Sequence, residues 1–389
     1  MSRLEELIQQ HCPDGVEYKP LGEVCDFRNG FAFKSNLFTD EGCPIIRITN
    51  ISENNVDMSD LKYFHMEDYP KSDLSQFAIK NGDILVAMSG ATTGKIGTYK
   101  GEITAYLNQR TGKFEPKECL NNRFLYHFLL TQVSNMYKMA GGGAQPNLSS
   151  NDLKSKIVIP VPPLPVQEEI VRILDNFAEL QAELQAELQK RLQQYNYYRD
   201  NLLSFEGRTD VKWKKLGDVA DLGTGSHNTQ DGLVEGQYPF YTRGSEILYL
   251  NDYDYDETAI ITAGDGAGVG KVFHFVQGKY ALHQRAYRIV PNEKIMLARF
   301  VYYYIGATFY NYIMKSSVSS SVVSIRKPMM INYPIPVPPL AEQKRIVDIL
   351  DRFDKLTNDI TAGLPAEIEA RRKQYEYYRD QLLTFKQKA

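Results

Sequence analysis

The chain has 389 residues, enough for two or three domains with sizeable cores. Its 43% apolar and 24% charged residues are those of an ordinary globular protein, and it has no run of about 18 apolar residues to cross a membrane. A net charge of −3 and a pI of 6.1 exclude a strongly basic nucleic-acid binder.

The opening residues, MSRLEELIQQHCPDG, lack the apolar stretch of a signal peptide, so a cytosolic chain is expected. Segment 1–16 is short, and its LEELIQQ (4–10) is expected to pack near the C-terminal helix. Cys12, Cys25, Cys43 and Cys119 form no CxxC pair and have no histidine at zinc-finger spacing, so they read as reduced structural thiols.

Residues 17–158 read as a first globular domain of mixed strands and loops. PIIRITNI (44–51) and GDILVAM (82–88) are strand-like. NRFLYHFLLTQVSNMYKMA (122–140) is helical and ends at GGGAQPN (141–147). Residues 159–206 are a proline joint, IPVPPL (159–164), followed by a long helix. Apolar side chains at Ile170, Ile173, Phe177, Leu180, Leu184, Leu188, Leu192, Tyr195, Tyr198, Leu202 and Phe205 recur in steps of three or four, close to a coiled-coil seam. The prolines cannot enter a helix interior and predict an extended entry to it. Within the helix AELQ runs three times (178–189); each unit adds nearly one turn, about 6 Å, and turns the face by about 40°. Taken alone, that repeat reads as a surface helix with a leucine stripe.

Residues 207–334 repeat the plan. TAIITAG (258–264) and KVFHFV (271–276) predict strands, and ARFVYYYIGATFYNYIMK (298–315) a helix, followed by SSVSSSVVS (316–324). Residues 335–389 then open again on IPVPPL (335–340). IPVPPLPVQEEIVRILDNFAEL is answered by IPVPPLAEQKRIVDILDRFDKL, and QYNYYRDNLLSF (194–205) by QYEYYRDQLLTF (374–385). A repeat this long indicates duplicated domains with their connectors, not a solenoid. In the second spacer Gly363 and Pro365 predict a kink or a restarted helix. Packing the two helices on one another as an antiparallel coiled coil would cover both stripes. The predicted class is α+β: two mixed α/β domains separated by two long helices in a pseudo-twofold arrangement.

Residues 166–206 carry eight acidic and four basic side chains, whereas 207–334 carry twelve acidic and fourteen basic. The acidity therefore sits partly in one segment, and any affinity for DNA would need help from partners. The glycine-rich SGATTGKIG (89–97) and GAGVGKVF (266–273) both miss the spacing of a phosphate-binding loop, and Ile96 and Val272 stand where it needs Ser or Thr. Tight turns are the plain reading, with a contact from Lys95 and Lys271 to DNA phosphate as the functional one. None of the six histidines falls in a recognisable triad or HExxH, so the chain reads as a binder without catalytic residues.

Two globular segments that each close on IPVPPL, then Gln167 or Gln343, IVxILDxF and a helix ending in QYxYYRDxLLxF, resemble the specificity subunit of type I restriction-modification enzymes. The resemblance covers essentially the whole chain. It implies that each globular segment is a target recognition domain reading one half of a split, asymmetric site in double-stranded DNA. It implies that the helices set the unspecified gap and help dock two methyltransferase subunits, with restriction subunits joining them. It implies no cofactor in this chain, S-adenosylmethionine, ATP and Mg belonging to the partner subunits, and no membrane. Arg or Lys reads guanine, and Asn or Gln reads adenine. Candidate readers or clamps are Lys34, Lys95, Gln109, Arg110, Gln145 and Asn147 in the first domain. In the second they are His227, Asn228, Arg243, Lys271, Gln284 and Arg285. The competing readings are a scaffold with two ligand-binding domains on a helical spacer and no role at DNA, and an enzyme that binds ATP or S-adenosylmethionine itself.

Overall fold

The structure is a computed structural model and describes residues 2–52, 54–141, 146–316, 324–359 and 361–388. It divides into two compact units, Met1–Glu183 with Glu369–Ala389, and Leu184–Ile368.

The second unit contains one six-stranded sheet. Its strand order is Ala220–Thr224, Ala286–Pro291, Tyr255–Ala263, Phe273–Leu282, Tyr238–Tyr241, Ile247–Leu250. Among the described strands of this sheet, only the neighbours Tyr238–Tyr241 and Phe273–Leu282 run parallel. The first unit has the same ladder cut in two. Ile96–Thr98 ends one four-stranded sheet, and Ala105–Leu107 lies in the other, parallel to Cys43–Ile46. The two short strands stand where the second unit has the single ten-residue strand Phe273–Leu282. The strand expected over 44–51 stops at Ile46, because Ile48–Asn50 forms a 3₁₀ turn. There the Asn50 side chain accepts the Arg47 N–H at 3.0 Å and donates to the Asp57 and Asp60 carbonyls. The helix expected over 122–140 is two helices, Asn122–Thr131 and Val133–Met139, divided at Gln132. Its counterpart Ala298–Ser316 is unbroken.

Each proline joint is a strand paired with the first strand of its own domain. Val158–Pro160 lies antiparallel to Tyr18–Pro20, and Pro334–Val337 to Lys212–Lys215. The prolines of both ribbons fall at the pairs that exchange no ladder hydrogen bond, alternating with the bonded pairs such as Leu21 with Ile157 and Leu216 with Tyr333, so the missing N–H leaves no gap. In the first unit the Tyr18 hydroxyl donates to the Phe385 carbonyl at 3.0 Å and accepts the Phe385 N–H at 3.1 Å. The Val16 N–H donates to the Lys386 carbonyl at 2.8 Å.

The first spacer helix, Leu164–Leu202, runs 39 residues without a break. The second is two helices, Leu340–Asn358 and Leu364–Leu382, with the interruption at the predicted place. A Cβ at Gly363 would lie 2.5 Å from the Lys355 carbonyl oxygen, so only glycine fits this turn. Pro365 falls in the first turn of the new helix, where a missing N–H costs nothing.

The helices join the domain cores. In the first unit Val166, Ile170 and Leu174 are buried with Phe124, Phe128, Tyr375 and Leu383, and Phe177 stacks on Tyr378 with ring centroids 5.4 Å apart. In the second, Ile346 and Leu350 are buried with Phe300, Val301, Leu203 and Phe205, and Phe353 stacks on Tyr198 at 5.5 Å. Ile173, Leu180, Leu184, Leu188 and Leu192 of the expected stripe are only half-buried. Among the described residues no helix is long and apolar enough to cross a membrane.

Candidate nucleic-acid interface

In the second domain the hairpin joining Tyr255–Ala263 to Phe273–Leu282 turns on Gly266 and Gly270, at φ +82° and +69°. Positive φ suits glycine. At Gly270 a side chain would also meet Ile313 of the helix Ala298–Ser316 at 2.6 Å. Asp265 opens this turn. The Gly264 N–H donates to the Arg285 carbonyl at 2.8 Å, and the Ile325 N–H donates to the Gly264 carbonyl at 2.7 Å. Asp265 is thereby fixed between the Arg285 turn and Ser324.

Two arginines share its carboxylate. Arg243 Nη1 donates to Oδ1 and Arg285 Nη1 to Oδ2, both at 2.9 Å. Asp265 is 20% exposed, Arg243 42% and Arg285 63%, so the carboxylate lies beneath and the guanidinium groups outward. Burial acts to raise the Asp265 pKa, but the hydrogen bonds and charges of the two arginines hold it below the ordinary carboxylate value.

Arg243, Arg285, Asn228, Gln284 and His283 line one open cleft. Gln284 Nε2 donates to Asn228 Oδ1, pairing the two amides. His227 is joined to a cleft residue through its backbone: its carbonyl accepts the Gln284 N–H at 2.9 Å, and its Nε2 lies 3.2 Å from Asp254 Oδ1. His283 is buried, and its Nδ1 accepts the Arg285 N–H at 2.9 Å. Burial, followed by the Arg243 charge, lowers its pKa, in keeping with a neutral ring and an acceptor at Nδ1. The structure thus brings His227, Asn228, Arg243, Gln284 and Arg285 together. Lys271 points away, its Nζ 5.3 Å over the Tyr310 ring.

The first domain uses the same ladder with other side chains. Gly90 and Gly94 turn its hairpin at φ +81° and +82°. The Met88 N–H donates to the Arg110 carbonyl at 2.9 Å, the Leu148 N–H to the Met88 carbonyl at 2.7 Å, and Ser89 bridges to Asn147. Arg110 and Asn147 therefore flank one strand end, with Gln109 exposed beside Arg110. Lys95 is half-buried just after Gly94. Lys34 is exposed elsewhere, its N–H donating to the Tyr69 hydroxyl at 2.8 Å beside the Phe31, Phe33 and Phe64 rings. Gln145 lies outside the described residues, as do parts of both small-residue loops.

Sequence reasoning missed Asp265 and Asp254, which position the second-domain side chains. The signal for Asp265 was its place at the start of a glycine turn echoed in the first domain. Among the described residues no group of three or more His, Cys, Asp or Glu is placed to hold a metal ion. The arrangement offers guanidinium and amide donors on an open surface.

Comparison with known proteins follows this duplication. A family profile described as type I restriction modification DNA specificity domain matches residues 13–194 and again 209–370. A type I restriction enzyme specificity subunit of Escherichia coli is 39% identical over 290 residues, 68% of this chain and 70% of that one. A putative type I restriction enzyme specificity subunit of Haemophilus influenzae is 31% identical over 410 residues, 98% of each. The crystal structure of a type I restriction-modification S subunit from M. genitalium aligns with a TM-score of 0.62 at 15% identity, over 95% of this chain and 96% of that one. A chain from a study of complex assembly and conformational transition of the type I restriction-modification system aligns at 0.57 and 18% identity, over 95% and 97%. Likeness at such identities speaks for the fold.

Proposed function

Because the chain belongs to the type I restriction-modification DNA specificity family, we propose that each globular domain reads one half of a bipartite, asymmetric target in double-stranded DNA. The chain supplies sequence specificity, and partner subunits supply the chemistry. One observation carries the asymmetry: a shared ladder presents Arg243, Arg285, Asn228 and Gln284 in one domain and Arg110, Gln109 and Asn147 in the other. Such side chains suit base edges and phosphates in a groove.

Two methyltransferase subunits dock on the helical segments, and restriction subunits join that assembly in the cytoplasm. S-adenosylmethionine, ATP and Mg act on those partners. The duplicated QYNYYRD and QYEYYRD blocks favour paired docking, since each leaves a tyrosine projecting from its helix, Tyr197 at 67% exposure and Tyr377 at 62%. The overall acidity fits a reader that gains its phosphate attraction from partners.

Footprinting of the chain with its methyltransferase subunits tests the reading. Protection in two patches flanking an unprotected gap is expected. Protection indifferent to sequence would contradict it.

A further inference from the structure

Among the described residues the Arg243–Asp265–Arg285 fork has no counterpart in the first domain, although the backbone around it does. Tyr241 faces Leu282 in one parallel pair and Ile46 faces Leu107 in the other, so Arg243 corresponds to Ile48. Gly264 bonds to the Arg285 carbonyl as Met88 does to that of Arg110, so Asp265 corresponds to Ser89. The second domain thus carries an arginine and an aspartate where the first carries an isoleucine and a serine, at two positions apart in sequence and joined in space. A solvated surface charge needs no such matched pair.

A carboxylate is a poor neighbour for a phosphate clamp. It reduces the net charge of the two arginines by half and weakens their attraction to the backbone of DNA. What it contributes is direction. Each guanidinium carries five N–H donors in a planar fork and uses one on Asp265. The shared anchor restricts two side chains that otherwise have wide rotamer freedom, and leaves their remaining donors facing the cleft. A directed, planar pair of donors matches the O6 and N7 acceptors of guanine in the major groove.

We propose that Arg243 and Arg285, oriented by Asp265, form a guanine-reading fork, so that the half-site read by the second domain contains a G·C pair recognised here. Asp265 is a positioning residue and does not itself touch the base. The proposal rests on the DNA-specificity reading.

The test uses the complex of this chain with its methyltransferase subunits, with the methylated motif sequenced and binding measured on oligonucleotides substituted one base pair at a time. Arg285→Lys keeps the charge and removes the fork; at 63% exposure its side chain carries little of the fold. It should lower discrimination at one G·C position of one half-site by about tenfold or more, leaving the other half unchanged. Asp265→Asn should relax the same position while affinity for unrelated DNA holds or rises. Uniform weakening on all sequences, with a shallower salt dependence, would make the arginines phosphate contacts and overturn the fork. So would unaltered discrimination in Arg285→Lys. An unsubstituted complex indifferent to sequence would instead overturn the specificity reading beneath it.

Discussion

Gln167 and Gln343 make the same three hydrogen bonds at the starts of two helices 176 residues apart. Gln167 Oε1 accepts the Asn121 N–H at 2.8 Å, and Nε2 donates to the Pro162 and Cys119 carbonyls at 2.7 and 2.9 Å. Gln343 does so with the Leu297 N–H and the Pro338 and Ile295 carbonyls, at 2.8, 2.8 and 2.9 Å. Both side chains are fully buried, and each ties a helix to its proline joint and to the turn before its domain's main helix. Gln343→Leu strands one N–H and two carbonyls and should cost about 2–4 kcal/mol in urea unfolding. Gln343→Glu should cost more, because a buried charge would face two carbonyls. A loss under about 0.5 kcal/mol in both would remove the clamp from the account.

A pH dependence is expected from His127, whose ring is fully buried in the first unit. Its Nε2 lies 2.8 Å from Asp175 Oδ1 and its Nδ1 2.9 Å from the Tyr375 hydroxyl. The neutral ring satisfies both, donating from Nε2 to Asp175 and accepting from Tyr375 at Nδ1. Burial is the largest influence and lowers its pKa from 6.5, despite Asp175. Burial would raise the Asp175 pKa, but hydrogen bonds from His127 and Arg123, with their charges, hold it at about 2. Below pH 6.5 the unfolded chain binds a proton at this histidine that the folded chain resists, so stability falls as pH falls. The Asp175 contribution persists until the pH drops below its unfolded value of 3.8. Urea unfolding across pH should show the first loss, and His127→Tyr, which installs the residue at the matching position, Tyr303, should flatten it. An unchanged slope in the variant would assign the loss elsewhere.

The AELQ repeat lies wholly inside the unbroken helix Leu164–Leu202. Removing one copy takes out about 6 Å of rise and rotates the remainder by about 40°. The gap between half-sites should change by about one or two base pairs of about 3.4 Å each, with both half-site sequences intact. Methylome sequencing of a host carrying the deletion reads this directly. An altered half-site with an unaltered gap would contradict the spacer role.

Tyr197 and Tyr377 contribute little burial to the folded chain and stand at matching positions of the two helices. Their replacement by alanine should change stability by less than about 0.5 kcal/mol. Methyltransferase binding should weaken by about 30-fold or more at each site, the penalty of losing an aromatic hot spot. Titration of the purified subunits separates the two quantities. Undiminished assembly by the double variant would move the docking surface elsewhere.

The duplication, the long helix and its interruption at Gly363 were readable because each rests on local chemistry: repeated blocks, a period near 3.6 and a glycine–proline pair. The first domain was less readable. Its strands run two to six residues, too short for alternation to register, and Asn50 turns the chain by side-chain hydrogen bonds that a strand-like run such as PIIRITNI conceals. The second-domain cleft gathers Asn228, Arg243, Gln284 and Arg285, with His227 bonded to the Gln284 backbone, which residue chemistry had singled out one at a time. Asp265 was passed over because an aspartate beside glycine reads as a turn former. Its partnership with two arginines exists only after the strands are in register.

The ribbons that pair Tyr18–Pro20 with Val158–Pro160, and Lys212–Lys215 with Pro334–Val337, place each domain's entrance beside its exit. A module that departs and returns at one spot can be replaced as a cassette, much as a sequence inserted at a loop tip leaves its host undisturbed. The glutamine amides favour the same outcome, because the three partners common to both are backbone atoms that any replacement would also supply. Genetic exchange between the two ribbon strands would therefore swap the DNA word being read, while the grammar of assembly passes unaltered to the descendant.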